Sequence, residues 1–93
     1  MITHNAYFNG NVQSLALQGH EKPATVGVMA KGEYEFGTGA PELMRVVVGE
    51  LNVKLSGDSD WQSFKAGTEF HVPGDSKFQL QVPVDTAYLC FYG

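Results

Sequence analysis

The chain reads as a single all-β domain, and three observations lead there. Turn signals centred on glycine and proline recur at short intervals along all 93 residues. Between them lie short runs rich in β-branched and aromatic residues, several alternating apolar and polar with the period of two that marks a strand with one buried face. No window long enough for a stable helix escapes interruption by Gly or Pro. Evenly spaced short strands with punctuating turns form sandwiches or barrels, and a chain of this length makes one domain, residues 1–93.

In chain order, the turns fall at Gly10, Gly19 to Pro23, Gly32, Gly37 to Pro41, Gly49, Gly57 to Asp60, Gly67, Pro73-Gly74-Asp75 and Pro83 to Asp85. The polar stretch from Gln18 to Thr25 reads as a surface loop, and Val26-Gly27-Val28-Met29 after it as a strand. Arg45 to Val48 and Leu51 to Leu55 are strands by the same pattern. In the run that follows Pro73-Gly74, parity leaves two assignments open. Either Lys77, Gln79 and Gln81 face a pocket, or they face water while Phe78, Leu80 and Val82 fill the core. On the last strand Tyr88, Cys90 and Tyr92 share one side and Ala87, Leu89 and Phe91 the other. Both sides are bulky and apolar, so the strand is expected to be covered on both faces. The domain covers one, and a second copy in a homodimer is the natural cover for the other.

Hydrophobic residues make up 43% of the chain, aromatics 12% and charged residues 17%, which suits one modest core and argues against disorder. Six basic residues face ten acidic ones, a formal −4, and the cations Lys22, Lys31, Arg45, Lys54, Lys65 and Lys77 are scattered singly. Non-specific nucleic-acid binding needs clustered cations and is excluded. No apolar stretch approaches the roughly 20 residues of a membrane span. Met1 to Asn5 has neither the basic start nor the apolar run of a signal peptide, so a cytoplasmic location is expected. Cys90, the one cysteine, forms no internal disulfide and reads as a buried, inert thiol.

Glu42 is followed after six residues by Gly49, and Gly67 after five by Pro73-Gly74. This resembles parts of the two sequence signatures of the cupin superfamily, and the resemblance implies a small jelly-roll β-barrel. The positions where cupins carry metal-binding histidines hold Phe36 and Thr38, or Glu35 and Gly37, in the first signature. In the second the ligand position holds Lys77 or Phe78. None of these replaces a neutral imidazole, a catalytic divalent metal typically takes three protein ligands, and His4, His20 and His71 share no ligand spacing. No metal site is expected.

Tyr7-Phe8-Asn9-Gly10, Val26-Gly27-Val28-Met29, Gly32-Glu33-Tyr34-Glu35-Phe36, Pro41-Glu42, Gly49-Glu50-Leu51-Asn52-Val53, Phe70 with Val72-Pro73-Gly74, and Tyr88-Leu89-Cys90 together resemble the small bacterial pyrimidine/purine nucleoside phosphorylase family, which is itself cupin-like. The resemblance implies phosphorolysis of purine and pyrimidine nucleosides to free base and ribose 1-phosphate, with inorganic phosphate as co-substrate and no cofactor. Two other classes remain open on the residues alone. One is a metal-free cupin module that binds a sugar or nucleotide without chemistry; the other is a metal-dependent cupin with His71 and Glu42 in an unusual site.

Phosphorolysis asks a pocket to hold phosphate and sugar together, to stabilise charge on both and to protonate the departing base. Glu42 ranks first among the carboxylates, able to bind ribose hydroxyls or to counter positive charge on the sugar, or else simply a surface charge beside Pro41. Met44 shares its face and supplies an apolar wall. Phe36 suits stacking on a flat base, and Tyr34, on the same face, adds a hydroxyl; plain core packing is the alternative for both. Lys77 offers charge, as does Arg45, and Gln79 and Gln81 offer amides that read base edges. Thr38, within Gly37-Thr38-Gly39, and the turn Pro73-Gly74-Asp75-Ser76 are candidate backbone nests for an anion. His71 is the histidine inside a strand, either a proton shuttle near neutral pH or a structural residue.

Overall fold

The computed structural model describes residues 1–93. Ten strands follow one another: β1 (His4–Tyr7), β2 (Val12–Leu17), β3 (Ala24–Met29), β4 (Gly32–Thr38), β5 (Glu42–Val48), β6 (Glu50–Leu55), β7 (Gln62–Lys65), β8 (Glu69–Val72), β9 (Ser76–Val82) and β10 (Thr86–Tyr92). The only helical element is a 3₁₀ turn at Phe8–Gly10. The all-β expectation holds. Ala24 and Thr25 are a correction to the loop expected from Gln18 to Thr25: both are buried strand residues, because their partners Phe91 and Cys90 bring them into the sheet.

The strands form two antiparallel sheets, one of six in the order β1-β2-β3-β10-β5-β8 and one of four in the order β4-β9-β6-β7. Successive strands from β3 to β6 alternate between the sheets, so the chain winds back and forth across the core. The sheets pack face to face rather than closing through one continuous ladder. Val12, Met29, Met44, Val46, Phe70, Val72 and Tyr88 from the larger sheet meet Leu51, Val53, Phe78, Leu80 and Val82 from the smaller one in a single buried cluster. Burying Phe78, Leu80 and Val82 decides the parity of β9, because alternation then sends Lys77, Gln79 and Gln81 outward. No helix is long and apolar enough to cross a membrane.

Register lines up the inner face of the larger sheet in cross-strand rows. Ser14 pairs with Gly27 and Gly27 with Tyr88; Thr25 pairs with Cys90 and Cys90 with Met44; Tyr92 pairs with Glu42. On the outer face Leu15, Val26 and Leu89 form one row, and Leu17, Ala24, Phe91 and Leu43 the next. This outer face stays open: Leu15 is 46% and Val28 53% exposed.

Gly49, the end of the Glu42–Gly49 spacing, turns the chain from β5 into β6 with φ +99°, and a Cβ there would run into the Thr86 hydroxyl. That hydroxyl accepts the Glu50 N–H at 3.1 Å and donates to the Val84 carbonyl at 2.8 Å, so it has no freedom to yield. Gly49→Ala is expected to cost at least about 2 kcal/mol, read as a lower urea midpoint with an unchanged m value.

Candidate active site

Between the sheets lies a cavity of about 210 Å³. At roughly 30 Å³ per water, that is room for a sugar-sized body. Glu42, Met44, Tyr88, Cys90 and Tyr92 from β5 and β10, with Tyr7, Ser14 and Met29 from β1, β2 and β3, form its larger wall. Phe36, Gly37 and Phe78 from the smaller sheet close it. Tyr7 and Gly37 are exposed and mark the mouth. The turn beside the mouth is strained: Phe8 and Asn9 take φ 52° and 57°, a region non-glycine residues visit rarely. Ring packing offsets the strain, with Phe8 centred 5.0 Å from Tyr34 and 5.3 Å from Phe36.

Tyr88 reaches its position because of Gly27. A Cβ at residue 27 would collide with the Tyr88 ring and hydroxyl, so glycine lets the phenol lie across β3 toward Ser14, the next residue in the row. The hydroxyls of Tyr7, Ser14 and Tyr88 have no hydrogen-bond partner in the protein, and no polar side-chain atom is sealed off without one. All three residues line the cavity.

No Lys, Arg or His lines this space. Glu42 accepts a hydrogen bond from the Cys90 thiol at 3.4 Å on Oε1. Burial raises the Glu42 carboxyl above its ordinary value of 4.5, and the thiol's bond only partly opposes that. Burial, then the nearby Glu42 charge, pushes Cys90 up to about 12, so the thiol stays a neutral donor. Tyr88 is pushed up to about 12, first by burial and then by Cys90, Tyr7 and Glu42. Tyr92 also rises through burial, with its hydroxyl 3.4 Å from Thr25 Oγ1. The carboxyl is thus ringed by a neutral thiol and neutral phenols.

Of the residues singled out from sequence, Glu42, Phe36 and Met44 meet in this cavity. The others lie elsewhere, for identifiable reasons. Tyr34 is buried beside Phe36, with its hydroxyl donating to the Ala30 carbonyl at 2.6 Å, and does not line the cavity. Thr38 clamps a turn: its hydroxyl donates to the Pro73 carbonyl at 2.7 Å and accepts the Ser76 N–H at 3.0 Å. With the Asp75 N–H donated to the Gly39 carbonyl at 3.0 Å, two amides of the expected nest after Pro73, those of Asp75 and Ser76, are occupied. His71 is exposed on the outer face of β8, because Phe70 and Val72 on either side of it take the core. Lys77 and Gln79 are exposed on β9, and Gln81 shares their outward parity. His4 bonds Gln13 at 2.9 Å, His20 is exposed, and no three His, Cys, Asp or Glu side chains gather as metal ligands would.

Sequence reasoning missed Tyr7, Ser14, Tyr88, Cys90 and Tyr92 as site residues. The shared face of Tyr88, Cys90 and Tyr92 was visible, but only register reveals that Glu42 pairs with Tyr92.

The raised carboxyl has a signature in stability. A Glu with a higher pKa folded than unfolded makes the folded chain bind more protons, so stability falls as pH rises from the unfolded toward the folded value. Glu42→Gln removes that decline. The difference in Tm, variant minus parent, should become more positive between pH 4 and pH 8; the opposite slope would mean a carboxylate stabilised by a cation.

The family model described as pyrimidine/purine nucleoside phosphorylase matches residues 2–92. A pyrimidine/purine nucleoside phosphorylase from Pseudomonas putida is 64% identical over 92 residues, covering 99% of this chain and 98% of its own. A relative of the same name from Shewanella pealeana is 56% identical over 93 residues, the full length of both. Among solved structures, a protein of unknown function from Vibrio parahaemolyticus matches with a TM-score of 0.96 at 50% identity, over 100% of this chain and 99% of that one. A cupin superfamily protein from Desulfitobacterium hafniense matches with a TM-score of 0.73 at 15% identity, over 87% of this chain and 75% of its own, and shares the fold. The fold is therefore cupin-like, as the Glu42–Gly49 and Gly67–Pro73 spacings suggest, and the chain belongs to the pyrimidine/purine nucleoside phosphorylase family.

Proposed function

We propose that the cavity carries out phosphorolysis of purine and pyrimidine nucleosides, transferring the pentosyl group from base to inorganic phosphate without a metal or other cofactor. The observation that carries this reading is Glu42, a carboxyl of raised pKa inside an apolar cavity with no cation beside it. A phosphate oxygen forms the new bond to the anomeric carbon while the carbon–nitrogen bond breaks and its electron pair passes to the base. Glu42, protonated, gives its proton to the base nitrogen, and the carboxylate left behind faces the cationic ribosyl ring. Holding phosphate and sugar together accounts for about 7–11 kcal/mol, and the positioned acid for about 10²–10⁴-fold.

In this reading the sugar sits inside the cavity and the base on the side of the smaller sheet. There Phe36, 5.8 Å from Phe78 in a stacked pair, offers a ring face. Stacking on a ring accepts any base, and with Gln79 and Gln81 turned outward no amide reads the base edges. Broad base tolerance follows. Cytoplasmic residence is part of the same reading, with one reduced, buried thiol and intracellular nucleosides as substrates.

The partner we propose is a second copy of this chain on the outer face of the six-stranded sheet. The two apolar rows there make a contiguous patch across β2, β3, β10 and β5, of the kind that marks a binding surface. Its charged edge is an Arg45–Glu69 ion pair at 3.1 Å, so the patch is neutral on a chain of net charge −4. Isologous contact there meets no like-charge repulsion.

Free base should appear from uridine, inosine and adenosine only when phosphate is present, and the reaction should persist in EDTA. Release without phosphate would mean hydrolysis. Stabilisation by a nucleoside without product would mean a binding module. Glu42→Gln should lower kcat by about 10²–10⁴. Analytical ultracentrifugation should give a dimer, and Val26→Glu, by placing a charge mid-row, should shift it to monomer with the fold intact by circular dichroism.

A further inference from the structure

We propose that the hydroxyls of Tyr88, Ser14 and Tyr7 form the anion subsite that receives inorganic phosphate inside the cavity. The proposal rests on the phosphorolysis reading and deepens it by naming the neutral donors that hold the nucleophile.

Three residues whose hydroxyls have no hydrogen-bond partner in the protein line one small space. Two belong to buried residues, Ser14 at 5% and Tyr88 at 6% exposure. A hydroxyl aimed into a cavity with no acceptor is an unused donor, and its bond to an ionised oxygen is about twice as strong as one between neutral groups. Hydroxyls also accept, so one of the three can take the proton of monohydrogen phosphate while the others donate. Gly27 is the device that completes the cluster, because it lets the phenol cross β3 to reach the neighbourhood of Ser14.

The position suits the chemistry. Glu42 lies on β5 and Ser14 on β2, with β10 and β3 between them. Three strand spacings across the sheet, with the four residues from the Tyr88 row to the Tyr92 row along it, separate the two backbones by roughly 19 Å before side chains reach inward. Displacement at the anomeric carbon brings the nucleophile to one face while the base leaves from the other. An acid on β5 and anion donors in the Tyr88–Gly27–Ser14 row, four residues along the sheet, straddle a sugar lying between them. The lack of a cation fits the same scheme: a Lys or Arg beside the phosphate would also draw Glu42 toward the ionised state and disable it as an acid. The polar groove outside, where Lys77 sits with Ser56, Asp75 and Ser76, adjoins the cavity at Gly37 and is the rival location.

The test uses the full chain with Tyr88→Phe, which keeps the ring over Gly27, Ser14→Ala, and Lys77→Ala as the rival arm. Initial rates with uridine and phosphate varied separately are read beside the rise in Tm on adding inorganic phosphate. Tyr88→Phe and Ser14→Ala should each raise the phosphate KM about tenfold, leave the uridine KM within about twofold and shrink the phosphate-induced rise in Tm. A rise in the uridine KM with the phosphate KM unchanged would overturn the assignment, as would a tenfold phosphate defect in Lys77→Ala alone. If the parent protein released no base, the phosphorolysis reading would fall, and the Tm series would still decide the subsite. Phosphate stabilising the parent but not Tyr88→Phe supports it; equal stabilisation of both, or none of the parent, overturns it.

Discussion

A carboxyl group set between two sheets with no cation beside it governs what this cavity can hold. Half-burial raises the Glu42 carboxyl above its ordinary value, and its one hydrogen bond in the protein comes from a thiol. Burial keeps Cys90 and Tyr88 protonated to about 12, so neither sets a second negative charge beside it. The whole cluster is biased toward the neutral state. In the proposed reaction that bias favours Glu42 as a proton donor over a counter-ion. Met29, Met44, Phe36 and Phe78 sustain the arrangement by keeping the surroundings apolar.

Local chemistry carried much of this in the sequence. Turn residues and period-two runs are properties of single segments, so the strands around Val26, Arg45, Leu51 and Phe78 could be read directly. The spacing from Glu42 to Gly49 was legible because it spans a single strand and its terminal turn, and parity put Met44 with Glu42. What depends on pairing between distant strands was not legible. Nothing near Tyr88 in the sequence says that its ring crosses Gly27, some sixty residues earlier, or that the row continues to Ser14. The tight Pro73-Gly74 turn hid the parity of β9, and the buried side of Phe78 settled it against Lys77, Gln79 and Gln81. His71 looked poised for proton transfer by residue type alone. Its neighbours Phe70 and Val72 were the better guide, because alternation left it only the outer face.

β10 joins the two halves of the molecule's business. Tyr88, Cys90 and Tyr92 on one side build the cavity wall, while Leu89 and Phe91 on the other lie in the apolar rows of the outer face. Each row on one side is interleaved with a row on the other, one residue apart along the strand. A partner seated on the outer rows therefore stiffens the strand that carries the Glu42 cluster, and the bulge between Ala87 and Tyr88 sits at that junction.

The cationless lining has a bearing on how the anion arrives. Most phosphate-handling pockets advertise themselves with a positive field that draws the ligand in. This chain carries −4 and offers only neutral hydroxyls at its destination, so the long-range force on an approaching dianion is repulsive. At physiological ionic strength mobile ions confine that force to about 8 Å. Under the proposed phosphorolysis, inert salt therefore speeds phosphate entry, the reverse of a steered encounter, and a dilute buffer is the medium in which capture is slowest.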